Sequence, residues 1–147
     1  VGYVRNLRQK VGQEPLIVVG SAAVVRRQQQ LLLIKRTDNL LWGLPAGSKE
    51  LNESAEDTAR RELREEAGLI ATDAKLMTVA SGPGMQYTYP NGDPIDSVTV
   101  VYTLTVTGEA QPDNVETSSA NFFDLQQLPE NLTPLTKKIL QEMALIK

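Results

Sequence analysis

Residues 47–69 read GSKELNESAEDTARRELREEAGL, and the reading of this stretch decides the fold. Ser54 is placed as a helix N-cap, with Asp57 three residues on as an Asp variant of the capping box. Ala55, Ala59, Leu63 and Ala67 recur every four residues and make a narrow apolar stripe of small side chains. Gly68 suits a left-handed C-cap, and Leu69 follows to pack back on the last turn. The spacing predicts a helix from about Ala55 to Ala67. On it Glu62, Glu65 and Glu66 stand at i, i+3 and i+4. At about 100° per residue, Glu65 lies roughly 60° to one side of Glu62 and Glu66 roughly 40° to the other. Three carboxylates therefore share one arc, an oxygen-ligand cluster suited to a hard divalent cation such as Mg²⁺. A plain solvated face is the competing reading, since Glu56 with Arg60 and Arg61 with Glu65 are ordinary i,i+4 pairs. Against it, Glu62 and Glu66 are like charges at i,i+4, which cost a helix roughly 0.2–0.5 kcal/mol when unneutralised. A local rule broken in this way is expected at a functional site. On the helix alone the two readings balance.

Working outward, Leu16–Val25 is apolar and β-branched and reads as a buried strand. Leu31–Lys35 reads as a second strand beyond a polar turn, Arg26–Gln30. Gly43–Asn52 reads as a loop with no period. Past the helix, Lys75–Ala80 and Gln86–Tyr89 are short strand candidates, and Asn91-Gly92 is a turn signal. Ser97–Thr107 is the clearest strand, with Val98, Val100, Tyr102, Leu104 and Val106 alternating with mostly Thr. Asn121–Asp124 is a short or edge strand. Thr133-Pro134 opens a last helix with Leu135, Ile139, Met143 and Ile146 on one face. Strands around one mid-chain helix and before a terminal one predict an α/β chain with a central mixed β-sheet between helices.

The 147 residues suit one domain, without internal repeat or linker, preceded by an N-terminal extension over 1–14. A start at Val1 points to a trimmed native N-terminus. There is no Cys, hence no disulfide, thiolate zinc site or cysteine nucleophile, and no His, hence no Ser-His-Asp triad. Carboxylate-plus-metal chemistry needs neither residue. A net charge of -3 argues against long nucleic acid and an anionic membrane as partners. The apolar run at Leu16 is too short to span a bilayer, so a cytoplasmic location is the expectation.

Gly47, Glu53 and Arg61-Glu62-Leu63-Arg64-Glu65-Glu66-Ala67-Gly68-Leu69 fit G-x5-E-x7-R-E-U-x-E-E-x-G-U, with U aliphatic, at every fixed position. Nine such positions match by chance on the order of once in 10⁷ chains or fewer. The stretch thus resembles the box of the Nudix hydrolases. Trp42-Gly43-Leu44-Pro45 is similar to the family's lead-in, and Glu116, Phe122-Phe123 and Leu128-Pro129 to its closing pattern. Ala46 and Asn52 stand where many members have Gly, and Asn can reach the left-handed conformation Gly would supply. The resemblance implies a Nudix-like α/β/α sandwich that hydrolyses a phosphoric anhydride in a nucleoside diphosphate linked to another group. That class includes nucleotides, modified nucleoside triphosphates and nucleotide-sugars. It implies Mg²⁺ or Mn²⁺ held by Glu62, Glu65 and Glu66 with the Ala46 carbonyl. Gly47, Glu53 and Arg61 become the supporting set, the last two as an ion pair tying loop to helix. Glu62 is the first candidate for general base and Glu116 the second, with Glu109 behind; an exposed loop acid is the alternative for Glu116. Arg36 is either a phosphate contact or a solvated strand end, and Tyr87 and Tyr89 either stack on a base or are half-buried strand residues. Trp42, Phe122 and Phe123 are assigned to packing. The rival readings are a non-catalytic nucleotide-sensing or partner-binding module on the same fold, and a structural domain with a merely charged helix. A homodimer is common among such proteins, though no interface is legible here.

Overall fold

A computed structural model of the chain describes residues 2–147; Val1 of the expected extension lies outside them. That extension forms a helix, α1 (Tyr3–Val11), which sequence reading left without structure. The apolar run becomes β1 (Leu16–Val24), and the polar segment after it is a tight hairpin of β2 (Arg26–Arg27) and β3 (Gln30–Arg36). The expected loop over 43–52 is partly sheet, because β4 (Trp42–Gly43) and β5 (Ala46–Ser48) pair with neighbours at two and three residues each. Segments so short carry no period to read. Next come α2 (Ala55–Ala67), β6 (Ile70–Ala80), β7 (Gln86–Thr88), β8 (Pro94–Thr107), β9 (Thr117–Asp124) and α3 (Pro134–Glu142).

The helix ends are set by the residues the sequence marks. Ser54 Oγ accepts from Asp57 N at 3.0 Å, and Gly68 closes α2 in the left-handed region at φ 68°. Thr133 caps α3 through Thr136 N, ahead of Pro134.

A central mixed sheet runs β5-β1-β8-β6, with β7 also on β8. β1 and β8 are parallel, and β5, β6 and β7 pair antiparallel. A second, antiparallel sheet runs β2-β3-β4, with β9 on β3. Successive residues of β1 serve opposite faces. Ala23 packs with Ala59, Leu63 and Ala67 of α2, whereas Ala22 packs with Ile139 and Leu140 of α3. The small stripe of α2 lets that helix lie close to the sheet, and Leu63 is wholly buried there. Truncating such a Leu to Ala costs about 2–5 kcal/mol.

β8 departs from its apparent pattern. Ser97 and Thr99 are buried with Ile95 and Val101, while Val98 and Val100 are only half-buried. The hydroxyl face is inside because it lines a cleft between the sheet and α3. No helix among the described residues is long and apolar enough to cross a membrane.

Candidate active site

The box loop and α2 meet where β5 turns into the helix. Glu53, at the end of the loop, is the anchor. Its Oε2 accepts from Arg61 Nε at 2.7 Å, and its Oε1 accepts from Thr58 Oγ1 at 2.7 Å, Arg61 Nη2 at 3.0 Å and Glu50 N at 3.1 Å. These donors, Arg61 first, pull the Glu53 carboxyl down to about 2. Arg61 also donates to the Ser48 carbonyl at 3.0 Å, which ties β5 to α2. Hydrogen bonds to Glu53 and the charge of Glu62 hold its guanidinium firmly protonated. Asn52 lies at φ 65°, the left-handed conformation that Gly would otherwise supply just before Glu53.

The three α2 carboxylates fare differently. Glu66 is buried at 4% exposure, and its Oε1 accepts from the backbone N–H of Ala46 at 2.8 Å. Burial first, and the neighbouring Glu62 charge second, push its carboxyl well above the usual range. Glu62 is pushed up to about 7 by burial, although Arg61 Nη1 donates to it at 2.7 Å. Glu65 is exposed and meets Arg61 at 3.3 Å. The shared arc of the helix is thus split by its surroundings, with Glu62 and Glu66 turned in against β5 and Glu65 turned out. Gly47 is the residue that permits this. A Cβ there would occupy the space of the Glu62 carboxyl group.

Burial is the main reason both carboxyls hold protons more tightly than usual, with the Glu62 charge adding to the effect on Glu66 and the Glu65 charge to that on Glu62. An oxygen-rich corner of two adjacent carboxyl groups fits Mg²⁺ or Mn²⁺, which favours their ionised forms. Among the described residues, no three such side chains already converge as a cage, because Glu65 points to solvent.

A cleft of about 790 Å³, including its open mouth, adjoins this corner and is lined in part by Ala46, Gly47, Arg36, Tyr87 and Tyr89. The structure therefore brings together Arg36, both tyrosines and the carboxylate corner. Arg36 lies 5.7 Å from the Tyr89 ring centroid, and the Tyr87 and Tyr89 rings meet edge to face at 5.0 Å. Burial raises the Tyr89 hydroxyl pKa. Ser97 and Thr99 add a buried hydroxyl pair to the lining, 2.7 Å apart. Glu109 and Glu116 are exposed on the loop before β9, and among the described residues neither carboxylate makes a hydrogen bond or ion pair with α2. Trp42 packs edge to face on Phe123 at 4.8 Å, away from the carboxylates. Sequence reading missed Thr58, Ser97, Thr99, Asp38 and Asn39. For Thr58 the signal was available: a hydroxyl five residues after a loop Glu, on the first turn of the helix.

Comparison with known proteins agrees with this layout. The family model described as the NUDIX domain matches residues 16–143. An ADP-ribose pyrophosphatase of Methanocaldococcus jannaschii is 36% identical over 100 residues, covering 66% of this chain and 56% of that protein. The chain therefore spans little more than half the length of this curated relative. A MutT NUDIX hydrolase structure from Burkholderia pseudomallei superposes with a TM-score of 0.72 at 30% identity, covering 87% of this chain and 97% of the other. An ADP-ribose pyrophosphatase structure from Streptococcus suis gives 0.62 at 28% identity, with 87% of each chain covered. A loop–helix carboxylate corner opening onto a cleft in an α/β/α sandwich defines the class, and the chain belongs to the NUDIX domain family.

Proposed function

We propose that the chain is a divalent-metal-dependent hydrolase of a phosphoric anhydride in a nucleoside diphosphate linked to another group. The observation that carries this is buried Glu66 beside half-buried Glu62, directly behind the Ala46-Gly47 wall of a cleft that also presents Arg36. Glu62, Glu65 and Glu66, with the Ala46 carbonyl, would hold Mg²⁺ or Mn²⁺. When bound, such an ion neutralises phosphate charge and acidifies a water. The chain's own part is positional. Arg61 fixes one oxygen of Glu62, so this carboxylate meets the water in a set orientation and takes its proton. Glu53 and Arg61 keep β5 and α2 in register, and Arg36 faces the phosphates. Tyr87 and Tyr89 offer ring faces to the group beyond them. The archaeal and streptococcal relatives named for ADP-ribose support a small nucleotide derivative as substrate.

The test is a turnover screen with Mg²⁺ or Mn²⁺ over ADP-ribose, other nucleoside diphosphate derivatives and modified nucleoside triphosphates. Glu65→Gln and Glu66→Gln are run beside the wild type. Cleavage that both variants abolish supports the proposal. If nothing is cleaved and metal binds wild type and variants equally, the chain is a binding module instead. Turnover that survives Glu62→Gln but vanishes in a folded Glu116→Gln moves the base to the loop.

A further inference from the structure

The five residues between β3 and β4, Thr37–Leu41, fold into a turn from which the Asp38 and Asn39 side chains both reach to residues of the cleft wall. Asp38 grips Arg36 along one edge of the guanidinium, accepting from Nε at 2.9 Å and from Nη2 at 2.7 Å. That is the side-on fork. The end-on fork, made by Nη1 and the second hydrogen of Nη2, has no protein acceptor among the described residues. Arg36 lines the cleft, over Tyr89 and within the electrostatic reach of Glu66. Its free edge is therefore the one available to a ligand in that cleft.

Asn39, the next residue, holds the other aromatic member of the wall. Its Nδ2 donates to the Tyr87 hydroxyl at 2.8 Å, while its Oδ1 accepts from Leu41 N at 3.0 Å and so closes the turn. The turn is fixed on all sides. Leu40 N donates to the Arg36 carbonyl at 3.0 Å, Arg36 N donates to the Leu41 carbonyl at 2.9 Å, and Asn131 Nδ2 donates to the Leu40 carbonyl at 3.1 Å. Leu40 is held at φ 60°, with its side chain exposed, a conformation this residue adopts only where its surroundings impose it. Thr37 pins the first residue of the turn to the loop before β9 through the Glu116 carbonyl at 3.0 Å.

We infer that the Thr37–Leu41 turn is a positioning element for substrate, Asp38 acting through Arg36 and Asn39 through Tyr87. It presents a preset guanidinium fork to two oxygens of one phosphate group. This rests on the cleft being the substrate site of the proposed hydrolase. Both residues stand behind the groups that touch ligand, so they set how well substrate is held and leave the reacting atoms alone. Arg without its Asp partner keeps its charge but loses its direction, and a planar donor pays for lost direction in affinity.

The experiment measures kcat and KM on whichever nucleoside diphosphate derivative the wild type turns over with Mg²⁺. Asp38→Ala raises KM about tenfold with kcat within about twofold of wild type, as expected for lost ground-state orientation. Asp38→Asn, which keeps one acceptor oxygen and the same shape, recovers part of that loss and serves if the Ala variant does not fold. In an Arg36→Ala background, Asp38→Ala adds nothing further, and in a Tyr87→Phe background Asn39→Ala adds nothing. An unchanged KM in Asp38→Ala overturns the inference. So does a penalty that persists in full without Arg36, or a fall in kcat at constant KM. If Glu65→Gln abolishes turnover while Asp38→Ala leaves KM untouched, the hydrolase stands and the positioning role falls. If the wild type cleaves nothing, both fall.

Discussion

Glu53 and Glu66 lie at the two ends of one loop–helix unit, and the protein treats them in opposite ways. Glu53 is surrounded by donors, two from Arg61, one from Thr58 and one from Glu50, and its carboxyl is held at about 2. Glu66 is buried beside Glu62 with one backbone N–H to offset the cost, and its carboxyl is raised. The first is a satisfied charge, and a satisfied charge fastens structure. The second is a charge that burial makes costly, so the group keeps its proton more tightly than usual, a cost that a bound cation would offset. Arg61 stands between them, donating to Glu53 and to Glu62, the neighbour of Glu66.

The comparison breaks most visibly at Glu66. Glu66→Gln is expected to lower kcat roughly 10²-fold or more, since the proposed metal site would lose one of its ligands. The same substitution raises the melting temperature of the metal-free protein at pH 8, by a few degrees on the order expected for about 1 kcal/mol. A loss of activity together with a loss of stability would show that Glu66 belongs with Glu53. At the other end, Arg61→Ala leaves Glu53 half-buried without its partner and is expected to cost about 3 kcal/mol in urea unfolding. A cost below ~1 kcal/mol would place this pair with ordinary surface bridges.

pH separates the two acids by sign. The Glu53 carboxyl is depressed, so its stabilisation is present above about pH 4.5 and is lost as pH falls toward 2. The Glu62 carboxyl is raised, so its contribution is full below about pH 4.5 and is lost as pH rises through about 7. Metal-free protein should therefore unfold more easily at pH 8 than at pH 5, with Mg²⁺ reducing the difference. Urea titrations at both values check this, and Glu62→Gln should flatten the alkaline limb alone. The smallest effect belongs to the cap that starts the helix carrying all these groups. Ser54→Ala is expected to cost about 1 kcal/mol by thermal melting, with kcat unchanged.

Much of this unit was legible in the sequence. The bounds of α2 follow from Ser54, the four-residue stripe and Gly68, each of which acts locally. What the sequence could not show is which part of the carboxylate arc meets β5, because that depends on how the stripe docks on the sheet. Hence Glu65 and Glu66, adjacent in sequence, end with opposite exposure. β5 itself was read as loop, since Ala46-Gly47-Ser48 has neither apolar alternation nor length. Nor does alternation along β8 say which face turns inward: a polar cleft lining and a wet surface use the same residues. In α1 the signal existed, with Val4, Leu7 and Val11 at helical spacing, but no cap residue marks its start.

Gly47 carries a consequence for engineering. The Glu62 carboxyl fills the volume where a side chain at 47 would begin, so the two positions behave as one part with a single shape. A lone methyl group, Gly47→Ala, is then a one-carbon switch. It evicts Glu62 from its seat while the far wall of the cleft, Arg36 with Tyr87 and Tyr89, keeps its contacts. On the role proposed for Glu62, that edit is expected to leave ligand capture in place while turnover is lost, a form suited to fishing out whatever the cleft was shaped to hold.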